Sequence, residues 1–101
     1  MRYYVIGDED AVLGFGLAGV QGLRVRNAQE AADAFDKALS DSEIGVVLIT
    51  ERVAELIRPK VDRYILSEDF PLIVEIPDWQ GKLEGRPSIR EMVNAAIGIK
   101  L

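Results

Sequence analysis

Short apolar runs alternate with helical periods along this chain, and that alternation restricts it to very few folds. Tyr3-Tyr4-Val5-Ile6 reads as a buried strand, and residues 10–18 as a short helix whose acidic start suits the positive end of its dipole. Gly19 or Gly22 ends that helix, and Leu23-Arg24-Val25 is a brief second strand. Asn27 with Glu30 three residues on forms a capping box. Ala28, Ala31, Ala32, Phe35, Ala38 and Leu39 then make one apolar stripe at helical spacing, backed by Gln29, Glu30, Asp33, Asp36 and Lys37 as a solvated face. Residues 44–49 are a continuous, β-branched run of the kind found in a central parallel strand covered on both faces. Thr50 caps the next helix, carried by Val53, Leu56, Ile57, Val61, Tyr64 and Ile65, which Pro59 kinks or splits by removing a backbone donor. Leu72-Ile73-Val74-Glu75-Ile76, bracketed by Pro71 and Pro77, is the fourth strand.

This order, βαβαβαβ with a last helix, implies a parallel sheet with helices on both faces and right-handed crossovers. The expected fold is therefore α/β: a small flavodoxin-like (Rossmann-like) sandwich with a four-stranded parallel sheet and a C-terminal helix. The 101 residues make one domain. Residues 1–77 form its α/β body, 78–87 a long polar loop, and 88–101 the C-terminal helix and tail.

Seventeen acidic against twelve basic residues leave a net charge of -5, which disfavours nucleic acid or an anionic membrane surface as the main partner. The chain has no Cys and no His. That removes disulfides, thiol chemistry, thiolate or imidazole metal sites and the commonest general base together. The first apolar run is too short for a signal segment and no stretch approaches a membrane span. These features predict a cytoplasmic chain without membrane insertion.

Residues 7–19 invite two kinds of chemistry. Gly14-Phe15-Gly16-Leu17-Ala18-Gly19 matches G-x-G-x-x-G, the dinucleotide fingerprint, whose glycines must form the turn directly after a strand so that a helix N-terminus meets the pyrophosphate. Here the glycines come about two helical turns too late, where a helix finishes, and Asp8-Glu9-Asp10 places three carboxylates where the phosphates would lie. No cofactor is expected. The glycines read instead as allowing close packing of this helix on the sheet, at a cost in propensity that makes it the least stable helix. The same three carboxylates, at the end of the first strand, resemble the magnesium corner of a receiver-type phosphoacceptor. That chemistry needs an acceptor Asp after the third strand and a Lys after the fourth, where this chain has Thr50-Glu51 and Pro77. The carboxylates read as an acidic helix start, with weak binding of a hard cation as the other reading. A degenerate receiver-like regulatory domain without phosphoacceptor is the alternative function.

The C-terminus carries the other informative segment. Ser88 with Glu91 forms a capping box and Gly98 a stop, and between them Ile89, Met92, Val93, Ala96 and Ile97 form one apolar stripe. Burying its larger members is worth about 1.5–3 kcal/mol each. The stripe must pack on its own sheet or on a partner. Trp79, in the polar loop, is either an interface anchor or a lid over the core.

Several short blocks bring a family into view. Val5-Ile6-Gly7-Asp8-Glu9-Asp10, Val12-Leu13-Gly14-Phe15, Leu17-Ala18-Gly19-Val20, Ile49-Thr50-Glu51, Ile76-Pro77 and the ending Ile97-Gly98-Ile99-Lys100-Leu101 closely resemble the F subunit of the V-type and archaeal-type (A-type) rotary ATPases. The family usually has Arg where this chain has Gly16, so the apparent nucleotide fingerprint arises from that one departure. The resemblance implies a non-catalytic central-stalk (rotor) protein, peripheral to a membrane-bound complex. It implies binding to the coiled coil of the D subunit inside the ring of A and B subunits, and a part in coupling ATP synthesis or hydrolysis to proton or sodium transport. Its C-terminal helix would contact the D subunit. On this chain the contact would fall to Ile89, Met92, Val93, Ala96 and Ile97, with Arg90 and Asn94 at the rim.

Overall fold

The computed structural model describes residues 1–77, in which four strands are connected by helices in the expected order, the third connection being two helices. Strand β1 (Arg2–Gly7) leads into helix α1 (Glu9–Leu17) and edge strand β2 (Gln21–Arg24). Helix α2 (Ala28–Ser40) crosses to the central strand β3 (Ile44–Thr50). Helices α3 (Glu51–Leu56) and α4 (Arg58–Ser67) then return the chain to β4 (Leu72–Ile76). The sheet order is β2-β1-β3-β4 with every pair parallel. The order reverses between β1 and β3, which puts α1 on one face of the sheet and α2, α3 and α4 on the other.

The face under α2–α4 holds the main core. Ile6, Val47 and Ile49 point into it from the strands, and Ala31, Ala34, Phe35, Ala38, Val53, Ala54, Ile57 and Val61 meet them from the helices. Phe35 is completely buried and stands edge-on to Tyr64, with ring centroids 5.8 Å apart. The small alanines of α2 let its backbone approach the sheet while Phe35 fills the space between, so large and small residues interdigitate. Its polar face, Gln29, Glu30, Asp33, Asp36 and Lys37, is largely exposed as expected.

Four local readings need correction. The second strand is Gln21–Arg24 and not residues 23–25, because the chain pairs with β1 as soon as the turn at Gly19 is complete. Gly22 permits this: a Cβ there would collide with the side chain and carbonyl of Val5 on β1. The capping box is half formed, since Asn27 accepts from the Glu30 amide (2.9 Å) but the Glu30 carboxylate accepts from the Arg26 amide (2.8 Å) and not from that of Asn27. Ala28 is exposed and Ala34 takes a place in the buried stripe. Pro59 does split the third helical segment: α3 ends, Ile57 adopts φ -131°, and α4 restarts with the proline in its first turn, where no donor is missed. The buried stripe nevertheless keeps its spacing across the break, through Val53, Ile57 and Val61, while Leu56 and Ile65, read as core, lie to either side of it and are exposed.

Candidate functional site

In an open parallel sheet the place to look for chemistry is the carboxyl end of the strands at the reversal point, here between β1 and β3. The residues there are occupied with building the fold. Asp8 is the N-cap of α1 and accepts from the Ala11 amide at 2.8 Å. Glu9 pairs with Arg24 at the end of β2 (3.3 Å). Thr50 caps α3 through its Oγ1, which accepts from the Val53 amide at 3.3 Å, and its methyl group closes the space beside Gly7. Glu51 follows, 8% exposed, in the first turn of α3. A phosphate would meet carboxylates here, and the helix that would receive it begins at Asp8, about two turns before the glycines.

One of the three glycines does what the sequence led us to expect, and two do not. Gly19 ends α1 in the left-handed region (φ 88°), with the Val20 amide bonded to the Phe15 carbonyl and the Gly19 amide to that of Gly16, both at 3.0 Å, a Schellman cap. Gly14 and Gly16, however, do not serve close packing on the sheet, because a Cβ at either would meet nothing within 4 Å. Nor does α1 bury any residue; Leu13 is 66% and Leu17 89% exposed. A shallow, largely apolar cleft of about 360 Å³ lies along this helix, lined by Val12, Leu13, Gly16 and Leu17 and by the paired Glu9 and Arg24.

Helix α1 packs on β1 and β2. On the same side of the sheet the register brings Val46 and Leu48 of β3 beside Leu72 and Val74 of β4, with Ile76 beyond. Val46, Leu48, Val74 and Ile76 are half-buried, and Leu72 is exposed. This apolar strip is the part of the sheet that the described helices leave open. The expected partner-binding residues Ile89, Arg90, Met92, Val93, Ala96 and Ile97 lie outside the described residues, as do Trp79, the loop and the C-terminal helix.

One arrangement has no counterpart in the sequence reading. Arg58, the first residue of α4, grips Glu75 of β4 with both terminal nitrogens, each bond 2.7 Å, a fork-to-fork pair. The same guanidinium reaches Glu55 at 3.0 Å and Asp62 at 3.2 Å. These partners hold its pKa above the ordinary arginine range, the Glu75 bond first, against the desolvation that burial imposes. The sequence signal was the lone charge in the apolar run Leu-Ile-Val-Glu-Ile, whose partner, 17 residues away, no local pattern identifies.

Comparison with known proteins agrees with this architecture and with the family resemblance. The family model of the ATP synthase (F/14-kDa) subunit matches residues 4–93. The chain is 37% identical to the A-type ATP synthase F subunit of Methanocaldococcus jannaschii, over all of this chain and 99% of that one. It is 35% identical to the corresponding protein of Thermococcus sibiricus, over all of this chain and 98% of the relative. The crystal structure of the V-type ATP synthase F subunit from Archaeoglobus fulgidus superposes with a TM-score of 0.58 at 25% identity, covering 74% of this chain and 95% of that one. With a family match over nearly its whole length and relatives that align end to end, the chain belongs to the ATP synthase F-subunit family of the A-type and V-type enzymes.

Proposed function

We propose that this chain is a non-catalytic central-stalk component of an A-type or V-type rotary ATPase. It is peripheral to the membrane, bound to the D subunit within the A/B complex, and helps couple ATP synthesis or hydrolysis to proton or sodium transport. The end-to-end likeness to A-type F-subunit chains carries this reading. Two further features support it. Asp8 and Thr50, at the carboxyl end of the sheet, are engaged as helix caps, and the chain has no His or Cys to serve as base or nucleophile. Among the described residues no helix is long and apolar enough to cross a membrane.

Contact with the D subunit is assigned to Ile89, Met92, Val93, Ala96 and Ile97, with Arg90 at the rim, because five apolar side chains at helical spacing cannot stay in water. Size-exclusion chromatography with light scattering, on this chain mixed with the D subunit, tests it. A one-to-one complex that the Met92→Asp/Val93→Asp variant weakens is expected. A complex indifferent to that variant moves the contact to the body, and no complex between two folded proteins refutes the stalk role.

The open strip of Val46, Leu48, Leu72, Val74 and Ile76 favours a second state, in which the same stripe covers its own sheet when the D subunit is absent. With no native cysteine to interfere, Val74→Cys combined with Val93→Cys reports on it. Disulfide formation in the free chain that the D subunit suppresses is expected, and no disulfide in either condition refutes the docked state.

A further inference from the structure

Val5 and Ile6 are neighbours on β1, both fully buried, and different elements bury them. Ile6 belongs to the main core under α2–α4, whereas Val5 lies outside that core and points to the opposite face of the sheet. The register puts Leu48 of β3 beside Val5 on that face, yet Leu48 is only half-buried. Helix α1, which packs on β1 and β2, makes the difference between them. It is a weakly held cover. Ala11, Val12 and Phe15 are half-buried against the sheet, none of the nine residues is buried, and two are interior glycines with open space where a side chain would be. Its ion pair to β2, Glu9 with Arg24, is exposed and of a kind worth little. The Asp8 cap and the turn at Gly19 close the two ends of the helix onto itself and not onto the sheet. Residues 8–20 are also long enough to unwind without disturbing the strands: extended, they reach about 40 Å, against the roughly 10 Å by which the chain must return along β1 to start β2.

We propose that α1 is a lid that melts and lifts from β1 and β2 as a unit while the strands and α2–α4 stay folded. Closed, it leaves this face of the sheet open along Val46, Leu48, Leu72, Val74 and Ile76; open, it extends that strip through Tyr3 and Val5 of β1 into one apolar face. The opening stays local because the elements left behind keep their own core: Ile6, Val47 and Ile49 remain covered from the other side by the helices α2–α4.

Thiol labelling of the full chain with N-ethylmaleimide tests this, since the chain has no native cysteine. Val5→Cys places a thiol under α1 and Val47→Cys places one under the opposite helices, and both native side chains are completely buried. Val5→Cys is expected to react about tenfold faster or more, with a rate that rises far less in low urea, because lifting one helix exposes less surface than unfolding the domain. Adding Gly14→Ala and Gly16→Ala should slow its labelling on the order of 5- to 30-fold, because the helix they stabilise is absent from the open state. Equal rates at the two positions, rising equally with urea, mean that α1 leaves only with the whole domain and overturn the lid. A Val5→Cys rate indifferent to the two alanines overturns it as well, since α1 is then not what opens. Should a cysteine variant fail to fold, hydrogen exchange of the wild type in low urea makes the same comparison between the amides of α1 and α2. A lower opening free energy with a shallow urea dependence in α1 supports the lid, and matching values in the two helices overturn it.

Discussion

Replacing Gly14 and Gly16 by alanine should make this protein more stable. Both residues sit within α1, neither has a positive φ, and a Cβ at either position would meet no atom within 4 Å. The native state therefore gains no clash, while the unfolded chain loses freedom. A helix-interior Gly→Ala exchange of this kind is worth roughly 0.5–1 kcal/mol. Residues two apart on a helix do not face each other, so the two gains should add to about 1–2 kcal/mol. For a domain of this size each kcal/mol corresponds to about 4–8 °C in Tm. Urea unfolding followed by circular dichroism measures the change, with an unchanged m-value as the sign that the surface exposed on unfolding is the same. Gly19→Ala is the control of opposite sign: its φ of 88° lies where a side chain costs about 1–2 kcal/mol. Hydrogen exchange gives a second readout, since α1 buries no residue and should exchange faster than α2 in the wild type and more slowly in the alanine variant. A neutral or destabilising Gly14→Ala at constant m would refute the reasoning, because it would mean that something covers this helix closely enough to need the missing side chain.

Three further outcomes follow from the same geometry. Asp8→Ala removes the cap on the Ala11 amide and should cost about 1 kcal/mol in chemical denaturation, whereas Asp8→Asn, which keeps an accepting oxygen, should cost far less. Phe35→Ala empties a fully buried site and removes the edge-on contact with Tyr64; a loss of about 3–5 kcal/mol is expected, a large share of what holds a small domain together, read as a lowered urea midpoint. On the alkaline side, burial raises the Tyr64 phenol above its ordinary value, with the Glu68 and Asp69 charges adding to the shift, and burial with the Asp41 charge does the same for Tyr4. The folded chain then holds protons that the unfolded chain releases, so stability is complete below about pH 10 and falls as pH rises past it. Tyr64→Phe should flatten that fall while forfeiting the 3.0 Å bond from its hydroxyl to the Pro71 carbonyl; an unchanged alkaline slope would count against the assignment.

How much of this was legible in the sequence depended on the range of the cause. Strand β3 and helix α2 were readable because a β-branched run and a 3.6-residue stripe are local statements about burial, and both lie at the centre of the fold. The same rule placed Leu56 and Ile65 in the stripe, but they lie to either side of it and are exposed, while Val53, Ile57 and Val61, four residues apart, stay buried across the break at Pro59. Gly22 and Gly14 look alike in sequence and play opposite parts. The first lies against Val5 of the neighbouring strand and has no room for a side chain, and the second faces open space, a difference set by tertiary contact alone. The fork between Arg58 and Glu75 is of that kind too, for nothing near either residue names the other. Asymmetry between the two sides of the sheet was the least legible feature. An apolar run such as residues 44–49 says that both faces of β3 are to be covered, and α2 and α3 meet one of them through Val47 and Ile49. Val46 and Leu48 face the other way, where α1 packs chiefly on β1 and β2 and leaves them half-buried. A surplus apolar stripe at residues 89–97 and an open apolar strip on β3 and β4 thus belong to one chain. If the D subunit competes with that strip for the stripe, removing the strip's appeal, as in Leu48→Asp, should tighten the complex, and a weaker complex from a folded variant would argue against the competition.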